Sequence, residues 1–201
     1  MFTAIILAGG ESKRIKQYKP LVNLCGKPLI EHVLEKIIGH ADKIIISIRY
    51  SKDEEKLSSF LKNDSIIYVV DHLRKGPLTG IYTSITMVET DQVLILPCDT
   101  PFISWKTINY LLSELIQPYE AVVYKWRNDY LEPLISAHST SSLRKALDCM
   151  ISNNIFSAHK IYDYLLTKYL VIEDTVKDPY KEFFNINTVE DLIQAGKLCS
   201  T

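Results

Sequence analysis

Runs rich in isoleucine and valine alternate along the chain with longer stretches in which apolar residues recur every three or four positions. The short continuous runs predict strands over 3–7, 43–48, 66–70, 92–96, 120–124, 132–137 and 169–172, each apolar on both faces and therefore covered on both. The longer stretches predict helices over 29–38, 53–61, 79–88, 108–115, 141–151, 158–165 and 189–197. Strand and helix in regular alternation imply an α/β fold with a mostly parallel sheet, doubly wound. Asn128-Asp129 between two extended runs reads as a tight turn, so a later portion of the sheet is expected to be antiparallel. With no repeat, low-complexity tract or linker, 1–201 reads as a single domain.

Composition narrows the class. At 201 residues, 47% hydrophobic and 23% charged, the chain is that of an ordinary globular protein with one core. It has no apolar run of about 18 residues and no visible secretory signal, so a cytoplasmic, membrane-free protein is expected. A net charge of -1 argues against broad nucleic-acid binding. Cys25, Cys98, Cys149 and Cys199 are widely spaced and form no Cys-x-x-Cys pair, so they read as reduced thiols. His32, His40, His72, His138 and His159 share no short spacing that would support a histidine metal site or a Ser-His-Asp triad.

Chemistry concentrates where strands are expected to end, and in open α/β sheets ligands sit beyond the carboxyl ends of the strands. The first strand runs into Leu7-Ala8-Gly9-Gly10, whose backbone can approach a ligand and offer N–H groups to phosphate oxygens. Lys13, Arg14, Lys16 and Lys19 follow, four cations within seven positions of a nearly neutral chain. A plain strand-to-helix turn with a solvated basic loop fits the same residues. Neither the Walker A loop nor the Rossmann glycine fingerprint is present, which weakens kinase and dehydrogenase readings. Asp99, in Pro97-Cys98-Asp99-Thr100-Pro101 after the fourth strand, is a hard oxygen donor suited to Mg²⁺. It would equally serve as a helix cap or turn residue. Asp71 follows the third strand, and Gly76-Pro77-Leu78-Thr79-Gly80 opens a helix whose amino terminus can approach an anion or a base edge.

Taken in order, Leu-Ala-Gly-Gly-x-Ser-x-Arg, Lys19-Pro20-Leu21, Gly76-Pro77-Leu78-x-Gly80, Pro97-Cys98-Asp99-Thr100-Pro101-Phe102, Glu132-Pro133-Leu134 and Asn185-Ile186-Asn187-Thr188 with Asp191-Leu192 resemble the molybdenum cofactor guanylyltransferases over nearly the whole chain. The resemblance implies a three-layer, Rossmann-like fold of the nucleotide-diphospho-sugar transferase type. It implies transfer of GMP from GTP to molybdopterin cofactor with release of pyrophosphate. Residues Leu7, Ala8, Gly9, Gly10, Lys19, Asp71, Gly76, Pro77, Leu78 and Asp99 would hold the nucleotide, and Asp99 also Mg²⁺. Arg14, Lys19 and Asp99 would be catalytic, and Pro133, Asn185 and Asn187 would face the pterin acceptor. Molybdoenzymes or cofactor-insertion proteins are the partners it implies. Two positions depart from the family: Lys16 stands where a glycine is usual, and Ser47-Ile48-Arg49 where an asparagine tends to end the second strand. Ser47 is carried as a weaker nucleotide contact, with a hydroxyl in place of an amide.

A phosphate monoester acceptor is largely ionised at neutral pH, so no protein base is required. The protein must instead align the acceptor oxygen with the α-phosphorus and neutralise the departing pyrophosphate. Rival readings are a transferase using CTP or another phosphorylated acceptor and a non-catalytic nucleotide-binding module.

Overall fold

The protein is described here by a computed structural model, in which residues 1–10, 15, 17–61 and 66–199 are described. The elements in chain order are β1 (Phe2–Leu7), β2 (Asn23–Leu24), β3 (Lys27–Pro28), α1 (Leu29–Ile37), β4 (Lys43–Ile48), α2 (Ser51–Phe60), β5 (Ile66–Val70), α3 (Pro77–Ile85) and β6 (Gln92–Pro97). They continue with α4 (Trp105–Ser113), β7 (Ala121–Lys125), β8 (Leu131–Ser139), α5 (Thr140–Ser152), β9 (Thr167–Val171), α6 (Ile172–Thr175), α7 (Pro179–Glu182) and α8 (Val189–Leu198). Lys19–Leu21 and Ala158–Asp163 are 3₁₀ turns.

Among the described residues, seven strands form one sheet in the order β5-β4-β1-β6-β8-β7-β9. Strands β5, β4, β1 and β6 are parallel, β8 is antiparallel to both β6 and β7, and β9 is parallel to β7. The carboxyl ends of β1, β4, β5, β6 and β7 therefore share one edge, and β1 at the centre delivers the glycine loop to it. Alternate residues of one strand face opposite layers. Ile6, Ile46 and Leu96 pack toward α1 and α4, while Ile5, Ile45 and Ile95 pack toward α3 and α5. This is the three-layer, mostly parallel α/β architecture expected. No helix among the described residues is long and apolar enough to cross a membrane.

Several expectations are corrected. The stretch 158–165 is a 3₁₀ turn over Ala158–Asp163, and the last strand ends at Val171 because α6 begins at Ile172. The four cysteines are not all reduced: Cys25 and Cys199 form a disulfide across 174 residues of sequence. Spacing could not reveal that pair, because α8 returns to pack on the short β2-β3 hairpin that carries Cys25. Cys98 and Cys149 are free, the first buried and the second exposed.

The antiparallel portion contains an irregularity that matters for the site. Pairing of β7 with β8 jumps from Val123↔Ser136 to Tyr124↔Glu132, so Pro133, Leu134 and Ile135 bulge out of register. Proline lacks the N–H of a regular ladder and is tolerated at such a bulge, which re-aims neighbouring side chains. The Tyr162 hydroxyl donates to the Pro133 carbonyl at 2.7 Å and pins the bulge.

Candidate functional site

The ends of four strands, β1, β4, β5 and β6, converge on a cavity of about 300 Å³ lined by Leu7, Gly9, Gly10 and Lys19, by Ser47, Arg49, Asp71 and Arg74, and by Gly76, Pro77, Gly80 and Pro97. Cys98, Asp99 and Leu134 complete it. Most of the residues expected to hold a nucleotide thus meet in one place. Ala8 and Leu78 do not line it: both are buried in the core, and the Ala8 N–H already donates to the Ser47 carbonyl at 2.9 Å. Arg14, like Lys13 and Lys16, lies outside the described residues.

At the mouth of this cavity Lys19 is the central cation. The 3₁₀ turn that begins at Lys19 directs its buried ammonium between Asp99 Oδ2 at 2.5 Å and Asn187 Oδ1 at 2.7 Å. Residues 80 and 168 positions away in sequence thereby share one amine. Asn187 owes its position to the start of α8, where Thr188 and Asp191 form a capping box. Asp191 Oδ2 accepts from the backbone N–H groups of Asn187 and Thr188 at 2.9 and 2.8 Å. Burial works against that carboxylate, yet these N–H bonds and the Thr188 hydroxyl hold its pKa below the ordinary range. Asn185 lies two residues earlier: its Oδ1 accepts from the buried Thr100 hydroxyl at 2.9 Å, and the Ile186 N–H donates to the Asp99 carbonyl at 3.0 Å. Asn185 and Ile186 therefore fasten the Asp99 loop directly, whereas Asn187 meets it through Lys19.

Asp99 does not cap α4. Ser104 does, its Oγ accepting from the Thr107 N–H at 3.1 Å, which leaves the Asp99 carboxylate to the cavity. Cys98 beside it is inert, since burial, reinforced by the Asp99 charge, pushes its thiol up to about 12.

Asp71 is buried and shapes the opposite wall. Its Oδ1 accepts from the N–H groups of Leu73 and Arg74, both at 3.0 Å, and the Thr79 hydroxyl lies 2.7 Å from Oδ2. That brackets the loop leading to Gly76, where φ of 107° requires a residue without a side chain. Gly80, one turn into α3, lies so close to β4 that a Cβ there would stand 2.7 Å from Ser47 Oγ. Glycine at 80 and the small Ser47 together set how near the helix approaches the sheet.

Sequence reasoning did not find Arg49 and Arg74 as cavity residues. Both lie just beyond strands that end at this edge, and the strand-end rule applied past Ser47 and Asp71 would have reached them. Leu134, in the β8 bulge, also lines the cavity; Pro133 beside it, expected on the acceptor side, does not.

No group of three or more metal-ligating side chains exists among the described residues. A protein-only metal cage is therefore not what this site offers. Of the two carboxylates on its wall, Asp71 is engaged by the Leu73 and Arg74 N–H groups and the Thr79 hydroxyl, while the four lone-pair positions of Asp99 are not exhausted by Lys19. That donor set fits Mg²⁺, which is commonly held by one or two carboxylates with phosphates and water.

Comparison with known proteins agrees with this geometry. The family model described as the MobA-like NTP transferase domain matches residues 4–162. A probable molybdenum cofactor guanylyltransferase of Thermococcus gammatolerans is 33% identical over 196 residues, covering 96% of each chain. Among solved structures, molybdopterin-guanine dinucleotide biosynthesis protein A from Archaeoglobus fulgidus is 29% identical, with a TM-score of 0.82 over 98% of each chain. A 4-diphosphocytidyl-2C-methyl-D-erythritol synthase from Anaerococcus prevotii shares the fold alone, at 15% identity and TM-score 0.78 over 100% of this chain and 98% of that one.

Proposed function

The chain belongs to the MobA-like NTP transferase family, and on that premise we propose that it transfers GMP from GTP to the terminal phosphate of molybdopterin cofactor. The observation that carries this reading is the Lys19 ammonium, held between Asp99 and Asn187 on the wall of a cavity opened by the Gly9-Gly10 loop. In the proposed reaction a phosphate oxygen of the acceptor forms a bond to the α-phosphorus of GTP, the bond to the β-phosphate oxygen breaks, and pyrophosphate leaves. The acceptor phosphate is ionised near neutral pH, so no protein base takes a proton.

What the chain supplies is alignment and positive charge. The Gly9 and Gly10 backbone lies against the triphosphate, Lys19 meets the charge that grows on the leaving group, and Arg14 is proposed to join it. Mg²⁺ bound at Asp99 would neutralise phosphate charge and fix the geometry of the leaving group. Ser47, Asp71, Gly76 and Pro77 form the base-side wall, with Asp71 acting through the loop it orders. Such an enzyme belongs in the cytoplasm, and its product would pass to molybdoenzymes or cofactor-insertion proteins.

Pyrophosphate release with molybdopterin, measured for GTP, CTP, UTP and ATP with and without Mg²⁺, tests the reading. GTP should be preferred and Mg²⁺ required, and the Asp99→Ala chain should fold and lose the Mg²⁺-dependent turnover. Preference for CTP would replace the guanylyl assignment with a cytidylyl one.

A further inference from the structure

A shallow, open pocket of about 580 Å³ lies on the same sheet edge and is lined by Trp126, Arg127, Asn128, Tyr130, Glu173 and Tyr180. Trp126 directly follows β7, whose carboxyl end shares the edge of the nucleotide cavity. Its indole stacks on Tyr180, with ring centres 5.3 Å apart and planes at 28°, and is braced edge-on by Phe183 at 6.0 Å. Tyr180 and Tyr130 are nonetheless 72% and 60% exposed. Stacked aromatic side chains left this open offer π faces to a planar ligand.

β8 passes between the two cavities. Leu134 lines the nucleotide cavity, and Glu132, two residues back across the bulge, accepts the Trp126 indole N–H at 2.8 Å. Burial raises the Glu132 pKa, and the negative charge of Asp99 raises it further, so the two carboxyls lie in one field. A cavity of about 300 Å³ is at the lower end of what one small ligand occupies, so a second substrate must extend past it.

We propose that the Trp126–Tyr180 cavity is the acceptor subsite, where the pterin ring of the phosphorylated acceptor stacks on Tyr180, Tyr130 and Trp126 while its phosphate arm reaches past Glu132 toward Lys19 and Asp99. The Glu173 carboxylate, which lines the pocket while accepting from the Arg127 N–H, would face the N–H edge of the heterocycle. The assignment rests on the guanylyltransferase reading for the identity of the acceptor.

The test measures polarisation of 6-hydroxymethylpterin fluorescence on the full chain, in parallel with GMP transfer to molybdopterin. Saturable pterin binding is expected, weakened about tenfold in Tyr180→Ala, the size of one stacking contact by alanine substitution. The molybdopterin KM should rise by a similar factor, while the GTP KM and the melting temperature stay as in the parent. Tyr180→Phe should restore both pterin binding and KM, since it keeps the ring. Tyr180 is so exposed that its removal leaves the fold intact; Tyr130→Ala, at a position that is also mostly exposed, provides an independent variant with the same expected result. Absence of pterin binding, or transfer with an unchanged molybdopterin KM in both alanine variants, overturns the subsite and leaves the guanylyltransferase reading standing. Pterin binding that the variants weaken, without any GMP transfer in the parent, supports the subsite and sinks the proposed reaction instead.

Discussion

Replacing Lys19 by methionine removes the ammonium that touches both Asp99 and Asn187 while keeping most of the side chain's volume. Two unit charges about 4 Å apart attract by about 4 kcal/mol at an effective dielectric constant of about 20, typical near a protein surface. Only the part of this attraction that is stronger in the transition state than in bound GTP lowers the barrier. Loss of a single preorganised donor to developing negative charge commonly costs about 10²–10³ in kcat. Stability should suffer less. Breaking a fully buried ion pair costs about 3–5 kcal/mol, but the Asp99 side chain is 19% exposed and faces the cavity, so water can solvate it. About 1–2 kcal/mol is expected, which at this chain length lowers Tm by a few degrees. The assay is Mg²⁺-dependent pyrophosphate release from GTP with molybdopterin, beside a thermal melt. Lys19→Met should turn over about 10²–10³ more slowly while remaining folded. A folded variant with kcat/KM within about tenfold of the parent would refute the placing of Lys19 against the leaving group. Adding Asp99→Asn should cost much less than its effect alone, because groups acting as a unit are not additive.

Gly76→Ala forces a Cβ onto a backbone at φ 107°, at a cost of about 1–3 kcal/mol, and should raise the GTP KM more than it lowers kcat; equal GTP affinity in parent and variant would contradict this. Titration of the native chain with a thiol reagent should find one reactive thiol, Cys149, because Cys98 is buried with its thiol pushed up to about 12 and Cys25 is bonded to Cys199. Denaturant should add Cys98, and three reactive thiols in the native chain would rule out the bond. Reduction releases a 174-residue loop, for which chain entropy sets a ceiling of about 5 kcal/mol, so reductant should lower Tm by several degrees. Burial pushes the His138 pKa down to about 3, so between that value and about 6.5 the unfolded chain binds a proton that the folded chain refuses. This contribution to stability is complete above about pH 6.5 and is lost as pH falls below it; Tm of His138→Gln should therefore fall less than that of the parent between pH 7 and pH 5, and parallel curves would exclude the effect.

The main sheet was legible because its strands are unbroken Ile/Val runs, such as Val93-Leu94-Ile95-Leu96, which can only be buried on both faces. The glycine loop, Asp71 and Asp99 were legible because each sits where such a run stops. Shorter features escaped for the same physical reason. Strands β2 and β3, two residues each, and helices α6 and α7, four residues each, are too brief to show a period and exist through their tertiary contacts. Long-range pairings leave no local trace either: nothing near Cys25 announces Cys199, and nothing near Lys19 announces Asn187. In Glu132-Pro133-Leu134, period-two alternation carried from Ser136 through Leu134 would set Glu132 on the same layer, but the bulge pairs Glu132 with Tyr124 on the other, which no local pattern announces.

Lys19 is reached by the ribosome early and Asn187 late, 168 residues afterwards. At about 5–20 residues per second, on the order of ten seconds separates them. A growing chain can form the first strand and the glycine loop before it owns the amide that helps to aim the lysine. Assembly of the Asp99–Lys19–Asn187 contact is thus among the last events of biosynthesis, and a chain stalled or cut ahead of Asn187 would leave the lysine with only one of its two partners.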